Sequence, residues 1–427
     1  MNMKRNVMLI VAMCMVSAVA FAQKTIRVST DKTDLVLKVS PKGRLYQVYL
    51  GDKLRNPADY DHLPWEVYAS SDAAVSTRGH EAYAASGGED FFEPAVAVTH
   101  ADGNKTTYLY YQNVEQKAVN GGTETIITLR DQVYPLTVRL HYVAYPKENV
   151  IKAWSEISHQ EKAPVVLWRY SSAMLYFKAD RYFLTSYHGD WAREGQPETA
   201  PLTRGKKVID TKLGTRAAMQ TEPFFELGFD EPAKENEGRA MLGTIGWPGN
   251  FRFTFEVDNV GVLRVLPAIN PYASDYRLKA GEVFTTPEFI FTLSDHGVGE
   301  ASRNLHDWAR QYQVNKGMEG RLTLLNNWEN TGFDFDQQTL AELMKDAKDL
   351  GVDLFLLDDG WFANKYPRKD DRAGLGDWEP TKGKLPEGIP GLVRDAKNAG
   401  VKFGIWIEPE MVNPKSELFE KHPDWAI

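Results

Sequence analysis

The sequence predicts a multidomain fold that is β first and α/β afterwards. A large N-terminal β-sandwich is expected to be followed by the first three βα units of a (β/α)8 barrel. Apolar and polar residues alternate with a period of two through residues 25–294, and a helical period begins at Gly299. From Arg321 onwards, strand and helix patterns alternate. These changes of period divide the chain into successive domains.

Residues 1–22 have the three parts of a secretory signal peptide. Lys4 and Arg5 supply positive charge, residues 7–20 are apolar, and Ala20-Phe21-Ala22 offers a cleavage site. A membrane anchor is the alternative, but an apolar run over 7–20 is shorter than the roughly 20 residues that span a bilayer. We therefore expect cleavage and export, to the periplasm or the medium of a bacterium, without membrane attachment of the mature protein.

The mature chain is expected to be acidic and free of cysteine. Cys14, the one cysteine of the sequence, lies in the predicted signal peptide, so neither a disulfide nor thiol chemistry is expected. The whole sequence has a formal net charge of −8, and removing Lys4 and Arg5 changes it to −10. This surplus of negative charge argues against nucleic acid and anionic membranes as partners.

Residues 23–298 are predicted to form the β-sandwich domain. Segments such as 35–39 and 125–129 alternate apolar and polar side chains, as half-buried strands do. Turn signals rich in glycine, proline and asparagine separate them, at 41–43, 102–104, 120–122 and 279–281. Many strands at short spacing indicate packed sheets, elaborated beyond the about 100 residues of a simple sandwich.

Residues 299–320 are predicted to be a helical linker to the second domain. Apolar residues recur at helical spacing and share one face, namely Ala301, Leu305, Trp308, Ala309 and Tyr312. Gly317 and Gly320 follow as stop signals.

Residues 321–427 are predicted to form an incomplete (β/α)8 catalytic barrel. The elements are a strand at 322–325, a helix capped by Asp336 with an apolar face of Leu340, Leu343, Met344, Ala347 and Leu350, a strand at 352–357, a helix starting at Pro390, and a strand at 401–408. A complete barrel takes about 250 residues. We therefore expect the chain to be the N-terminal part of a longer protein.

The ends of these three strands carry side chains that suit a sugar. Trp328 follows the first strand, Asp358 and Asp359 end the second, and Trp406 lies in the third. Barrel enzymes place their working residues at the carboxyl ends of strands. Carboxylates accept hydrogen bonds from hydroxyl groups, and indole faces stack on the C–H surface of a sugar ring.

The residues alone leave alternatives open. The two aspartates could cap a helix or bind a divalent cation, and the two tryptophans could simply pack against a helix. Glu408-Pro409-Glu410 could shape a rigid strand exit rather than take part in catalysis. A metal-dependent hydrolase is disfavoured because no histidine accompanies Asp358-Asp359 at ligand spacing.

The motifs of this part resemble glycoside hydrolase family 36, the α-galactosidases of the melibiase and raffinose-degrading type. The resemblance rests on Asn326-Asn327-Trp328-Glu329, Leu356-Leu357-Asp358-Asp359-Gly360-Trp361-Phe362, Leu375-Gly376-Asp377-Trp378, Lys384-Leu385-Pro386, the segment 403–414 and His422-Pro423-Asp424-Trp425. It extends more loosely over the predicted sandwich, through Glu93-Pro94-Ala95, Trp191-Ala192-Arg193-Glu194, Pro223-Phe224-Phe225, the segment 246–251, Gly281-Glu282 and Thr286-Pro287-Glu288.

The resemblance implies a secreted, retaining exo-α-galactosidase that acts on α-galactoside oligosaccharides without a metal or organic cofactor. Asp358 and Asp359 match the pair that binds the 4- and 6-hydroxyls of galactose, and Trp328 and Trp406 match aromatic residues of the same subsite. Family members are often tetramers. A non-catalytic galactoside-binding or partner-dependent protein is the alternative.

The resemblance places both catalytic aspartates, the nucleophile and the acid/base, beyond residue 427. The family carries the nucleophile in a Lys-x-Asp segment on the fourth strand. Lys369-Asp370-Asp371 has that spelling but lies in the loop after the second strand, so we do not assign it this role. The isolated 427-residue chain is accordingly expected to be inactive.

Overall fold

The computed structural model describes residues 24–65, 79–88, 90–214 and 220–427. The predicted signal peptide, residues 1–22, lies outside these described residues. The chain divides into two compact units, one up to Gly317 and one from Met318. Across the described part, helices are too short or too polar to cross a membrane.

The first unit is rich in β-structure. Its strands are β1 (Lys24–Ser29), β2 (Thr33–Val39), β3 (Leu45–Asp52), β4 (Val96–Thr99), β5 (Leu109–Val119), β6 (Gly122–Asp131), β7 (Leu136–Tyr145), β8 (Val150–His159), β9 (Val165–Tyr170), β10 (Leu175–Lys178), β11 (Tyr182–Gly189), β12 (Gln196–Leu202), β13 (Gly205–Asp210), β14 (Gln220–Phe229), β15 (Ala240–Ile245), β16 (Phe251–Val257), β17 (Val262–Ile269), β18 (Tyr276–Leu278), β19 (Val283–Thr285) and β20 (Phe289–Ser294). The helices are α1 (Asp59–His62) and α2 (Gly297–Trp308), the latter continued by a π-helical turn, Ala309–Gln313.

These strands form four antiparallel sheets. The largest has the order β12-β11-β14-β15-β20-β8-β7-β6-β5, with β19 also paired to β8. The others have the orders β10-β17-β16-β13, β1-β2-β3 and β18-β9-β4. All four contribute side chains to one hydrophobic core, in which phenylalanines such as Phe225, Phe253 and Phe289 are completely buried. Burial of these aromatic rings together with the aliphatic side chains of the same core stabilises this unit.

Strand β2 differs from the half-exposed strand that its alternating sequence predicts. Every residue of β2 is buried, including Lys38. Lys38 Nζ donates to the carbonyl oxygens of Asp61 (2.9 Å) and Leu63 (2.6 Å), and the Tyr60 hydroxyl donates to Asp34. The segment around α1 therefore supplies the hydrogen-bond partners of the Lys38 ammonium group and of one oxygen of Asp34, as burial of polar groups requires.

The helix predicted as a linker packs on the largest sheet of the first unit. It starts at Gly297, and Trp308 is buried in a small apolar cluster with Val143, Tyr145 and Ile290. The ring centroids of Trp308 and Tyr145 lie 5.8 Å apart, edge to face. The residues predicted to share one helical face do lie toward the protein, because Ala301 is buried and Leu305, Ala309 and Tyr312 are partly buried in the same region.

The second unit consists of strands and helices in alternation. In chain order these are β21 (Leu324–Asn326), α3 (Trp328–Thr331), α4 (Gln337–Asp349), β22 (Leu354–Leu357), α5 (Gly388–Ala399), β23 (Lys402–Ile405), α6 (Glu417–Lys421) and a 3-10 turn, Pro423–Trp425. The three strands pair in parallel in the order β21-β22-β23. Each is shorter than predicted, and the third ends at Ile405 rather than at Glu408.

The helices of the second unit begin and end close to their sequence signals. Asp336 caps α4 by accepting a hydrogen bond from the Thr339 amide at 2.8 Å. Gly351 and Gly400 follow α4 and α5 with φ of +80° and +84°, a conformation that favours glycine. Leu350 was expected on the buried face, but it lies after the last helical turn and is 76% exposed. Helix α5 starts at Gly388, two residues before the predicted Pro390.

Candidate functional site

The ends of β21 and β22 are joined by two asparagines, Asn326 and Asn327, which bond to residues of the predicted site. Asn326 Nδ2 donates to Asp358 Oδ2, and Asn326 Oδ1 accepts from the Trp328 amide at 2.8 Å. The Asp358 amide donates to Asn327 Oδ1, also at 2.8 Å. Because the strands are parallel, their polar ends meet at the same edge of the sheet. The structure thus links Trp328 to Asp358 through one asparagine.

Asp359 forms a buried ion pair with Arg368. Arg368 Nε lies 3.0 Å from Asp359 Oδ1, and Arg368 Nη2 lies 2.8 Å from Asp359 Oδ2. The two residues are only 6% and 3% exposed. A two-point contact of this kind fixes the plane of the carboxylate as well as compensating its charge.

The two adjacent aspartates therefore differ in how much acceptor capacity they retain. A carboxylate has about four acceptor positions. Asp358 uses two of them, for Asn326 and for the Asp359 amide at 2.7 Å. Asp359 accepts from the Gly360 amide at 2.6 Å and makes three contacts with Arg368 at 2.8–3.2 Å. Asp358, which is half-buried, is thus the better placed of the two to accept from a ligand.

Trp406 is held at the end of β23 by its backbone. Its amide donates to the Leu357 carbonyl at 2.8 Å, and its carbonyl accepts from Trp361 Nε1 at 3.0 Å. Its ring meets Trp378 edge to face, with centroids 6.3 Å apart. The ring of Trp328 makes a similar contact with Phe333 at 4.9 Å. Both predicted indoles are half-buried, so packing and partial exposure coexist at these positions.

Lys384 supports the turn that follows the aspartate pair. Its Nζ donates to the carbonyl oxygens of Phe333 (2.7 Å) and Gly360 (2.9 Å) and lies 4.6 Å from the centre of the Phe335 ring. Burial lowers the pKa of Lys384, while Asp334 and Asp359 act in the opposite direction. The ammonium group of Lys384 thus takes the place of water as the hydrogen-bond donor to these two carbonyl groups.

Glu408 lies close enough to Asp359 and Arg368 for their charges to change its pKa. Burial raises the pKa of Glu408, and the negative charges of Glu410 and Asp359 raise it further, against the opposing effect of Arg368. Within the described residues, no group of three or more acidic, histidine or cysteine side chains has an arrangement suited to a metal ion. The charge of Asp359 is compensated by Arg368 rather than left open for a cation.

Sequence reasoning missed several residues that organise this site. Arg368 was not singled out, and Asn326, Asn327, Lys384 and Asn413 were noted only as parts of motifs. The single usable signal was that a buried strand ending in two carboxylates needs a positive partner. The loop over 363–387 offers six cations, Lys365, Arg368, Lys369, Arg372, Lys382 and Lys384. Their spacing does not select one of them.

A sheet-rich first unit followed by parallel βα units with carboxylates and indoles at their strand ends is an organisation typical of carbohydrate-active enzymes. The family model described as "Glycosyl hydrolase family 36 N-terminal domain" matches residues 43–279, and the model "Melibiase" matches residues 283–427. The chain belongs to glycosyl hydrolase family 36.

Similar proteins agree with this membership. Alpha-galactosidase AgaA of Geobacillus stearothermophilus is 32% identical over 95% of this chain and 58% of its own length. An alpha-galactosidase structure from Lactobacillus brevis has a TM-score of 0.86 at 30% identity, covering 96% of this chain and 58% of that one. A GH36 alpha-galactosidase from Geobacillus stearothermophilus, solved in complex with raffinose, has a TM-score of 0.85 at 31% identity, covering 95% and 59%. The chain thus spans less than two thirds of the length of these relatives.

Proposed function

We propose that the protein is a retaining exo-α-galactosidase that hydrolyses terminal α-galactosyl residues of oligosaccharides. Family membership and the similar alpha-galactosidases support the reaction class. One observation carries the assignment of the site, namely that Asp358 presents unused acceptor positions beside Asn326 at the ends of adjacent parallel strands. Hydroxyl groups of a sugar are suitable donors to such a carboxylate.

In this proposal Asp358, Asp359, Trp328 and Trp406 bind the galactosyl group. A carboxylate placed for the axial 4-hydroxyl would lack its partner with the wrong epimer, so discrimination against glucose can be large. The relatives solved with raffinose and with stachyose support oligosaccharides of this kind as substrates.

We place the catalytic nucleophile and the acid/base outside residues 321–427. A retaining glycosidase needs two carboxyl groups on either side of the glycosidic bond, about 5–5.5 Å apart. Asp358 and Asp359 are sequence neighbours at one strand end, and Asp359 is occupied by Arg368. Of the rejected Lys369-Asp370-Asp371 segment, Asp370 accepts from the Arg372 amide and Asp371 lies near Arg368. These contacts support recognition, rather than bond cleavage, as the role of the described carboxylates.

Four further expectations belong to the same proposal. The sheets of the first unit would form a β-sandwich, and β21 to β23 would be the first three strands of a (β/α)8 barrel. The parallel order β21-β22-β23, with a helix before each following strand, supports the second of these. We also propose export after cleavage near Gln23 and assembly into a homo-oligomer. N-terminal sequencing of the exported protein and light scattering test these two points.

Hydrolysis of matched aryl glycosides by the protein, expressed from its full coding sequence, tests the activity. We expect turnover of the aryl α-galactoside to exceed that of the aryl α-glucoside by at least about 100-fold. NMR should show the α-anomer of galactose as the first product. Equal rates on both glycosides, or no hydrolysis, would contradict the proposal. Galactose binding without any turnover would instead favour a non-catalytic galactoside-binding protein.

A further inference from the structure

We propose that Arg368 is a positioning residue that sets the selectivity of galactosyl recognition through Asp359. The inference rests on the proposed function, because it concerns the same strand-end site. Arg368 itself is almost completely buried and its guanidinium is directed at Asp359, so it has no direct role as a sugar ligand in this arrangement. Its effect on a substrate must pass through the carboxylate that it holds.

The guanidinium of Arg368 uses all three of its nitrogen atoms. Nε and Nη2 contact the two oxygens of Asp359, and Nη2 also lies 3.4 Å from Asp371 Oδ1. Nη1 donates to the Ala373 carbonyl (3.2 Å) and to Asn413 Oδ1 (3.1 Å). The guanidinium also lies 5.5 Å and 5.8 Å from the centres of the two phenylalanine rings at positions 333 and 362. Contacts on several sides therefore fix the guanidinium, and its two-point contact in turn fixes the carboxylate of Asp359.

These contacts tie together two segments of the second unit, the long loop between β22 and α5 and the segment after β23. Asp359 follows β22, Ala373 lies in the long loop before α5, and Asn413 follows β23. Asn413 reinforces the link, since its Oδ1 also accepts from the Leu375 amide (3.0 Å) and its Nδ2 donates to the Asp371 carbonyl (3.1 Å). The orientation of the Asp359 carboxylate consequently depends on the loops that follow β22 and β23, not on β22 alone.

A carboxylate whose plane is fixed offers its remaining acceptor position in one direction. Asp359 has at most one position left after the Gly360 amide and Arg368. A lysine at position 368 keeps the positive charge but has a single point of attachment, so it does not fix that plane. A misdirected Asp359 carboxylate should therefore lower kcat/KM only for a substrate that has the hydroxyl group from which Asp359 accepts a hydrogen bond.

The test compares Arg368→Lys with wild type on an aryl α-galactoside and on its 4-deoxy and 6-deoxy analogues. The control is Arg372→Lys, which changes an exposed arginine of the same loop. We expect Arg368→Lys to lower kcat/KM for the galactoside about tenfold or more, because small misplacements in a site have large effects. For one of the deoxy analogues the loss should be at least about fivefold smaller, since hydroxyl contacts discriminate strongly. Arg372→Lys should leave all three values unchanged.

The outcomes separate this inference from a merely structural role and from the proposed function. An equal loss on all three substrates, after correction for the folded fraction, would overturn the positioning role. If Arg368→Lys does not fold, Asn413→Ala tests the same point, because it removes one support of Arg368 and keeps the ion pair. It should shift the substrate ratios in the same direction but less, and unchanged ratios would overturn the inference. Failure of the proposed function would show already as wild-type protein that does not hydrolyse the galactoside.

Discussion

The substitution Asp359→Asn tests whether the buried ion pair stabilises the second unit. It removes the negative charge but keeps the shape of the side chain, so Arg368 remains buried at 3% exposure with only the exposed Asp371, 3.4 Å away, as a counterion. Breaking one partner of a buried ion pair costs about 3–5 kcal/mol. A loss of about 3 kcal/mol changes the folding equilibrium roughly 150-fold. We therefore expect a clear drop in the free energy of unfolding, in addition to any loss of activity.

Asp358→Asn is the matched control for this prediction. Asp358 is half-buried, and its side chain contacts Asn326 and a backbone amide rather than a cation. Its loss of stability should stay below about 1 kcal/mol, the usual net value of one hydrogen bond. Its loss of activity should be large, since it removes an acceptor that we assign to the sugar. Asp358→Asn should thus affect mainly turnover, whereas Asp359→Asn should lower both turnover and stability.

Urea denaturation, followed by tryptophan fluorescence, measures both variants and the double variant Asp359→Asn/Arg368→Met. Removing both charges should recover part of the stability lost in Asp359→Asn, because the uncompensated cation is then gone. Similar unfolding free energies for the two single variants would refute the reasoning. So would a double variant less stable than Asp359→Asn alone.

Three further predictions concern substitutions in the second unit. Gly360→Ala should destabilise by about 1–3 kcal/mol, since φ is +98° there, whereas Gly383→Ala, in open space, should be near neutral. Glu408→Gln should weaken the decline of stability with rising pH. The raised pKa of Glu408 means that the folded state retains a proton that the unfolded state releases, so stability falls as pH increases through that window. Trp361→Phe should cost about 1–3 kcal/mol, because the carbonyl of the half-buried Trp406 loses its indole donor.

The midpoint of urea unfolding checks each of these three predictions. Equal midpoints for the alanine variants of the two glycines would contradict the strain argument at Gly360. For Glu408→Gln, the midpoint is compared with wild type from pH 4.5 to 7, and parallel curves would remove the assigned titration. An unchanged midpoint for Trp361→Phe would show that water satisfies the Trp406 carbonyl equally well.

The fold of the second unit could be predicted in its order because local signals mark its elements. Asp336 caps a helix, and Gly351 and Gly400 end helices in the left-handed conformation that favours glycine. The exact ends of the elements could not be predicted. Leu350 fits the helical period, yet it lies one residue past the last turn, where the chain leaves the packed face. Periodicity indicates which residues match a face, not where the backbone departs from it.

In the first unit, period alone could not show which strand is covered on both faces. Alternation in β2 predicts one exposed face, but Lys38 is buried because carbonyl groups near α1 satisfy its ammonium group. In α2 the residues of the apolar face are those that the period predicts. The period could not show, however, that this face packs on the largest sheet. Both differences arise from contacts between residues that are distant in sequence.

The aspartate pair shows why recognition and stability could not be separated from the sequence. Two neighbouring carboxylates at a strand end have the same local signals, and the family resemblance assigns both of them to sugar binding. The structure gives them different partners, an amide for Asp358 and a guanidinium for Asp359. Because a buried charge needs a partner whereas a half-buried one can remain partly solvated, only Asp358 keeps most of its capacity for a ligand. The ion pair with Arg368 is thus what distinguishes Asp359 from Asp358. Substitution of Arg368 is the most direct way to alter the acceptor capacity of one aspartate and not of the other.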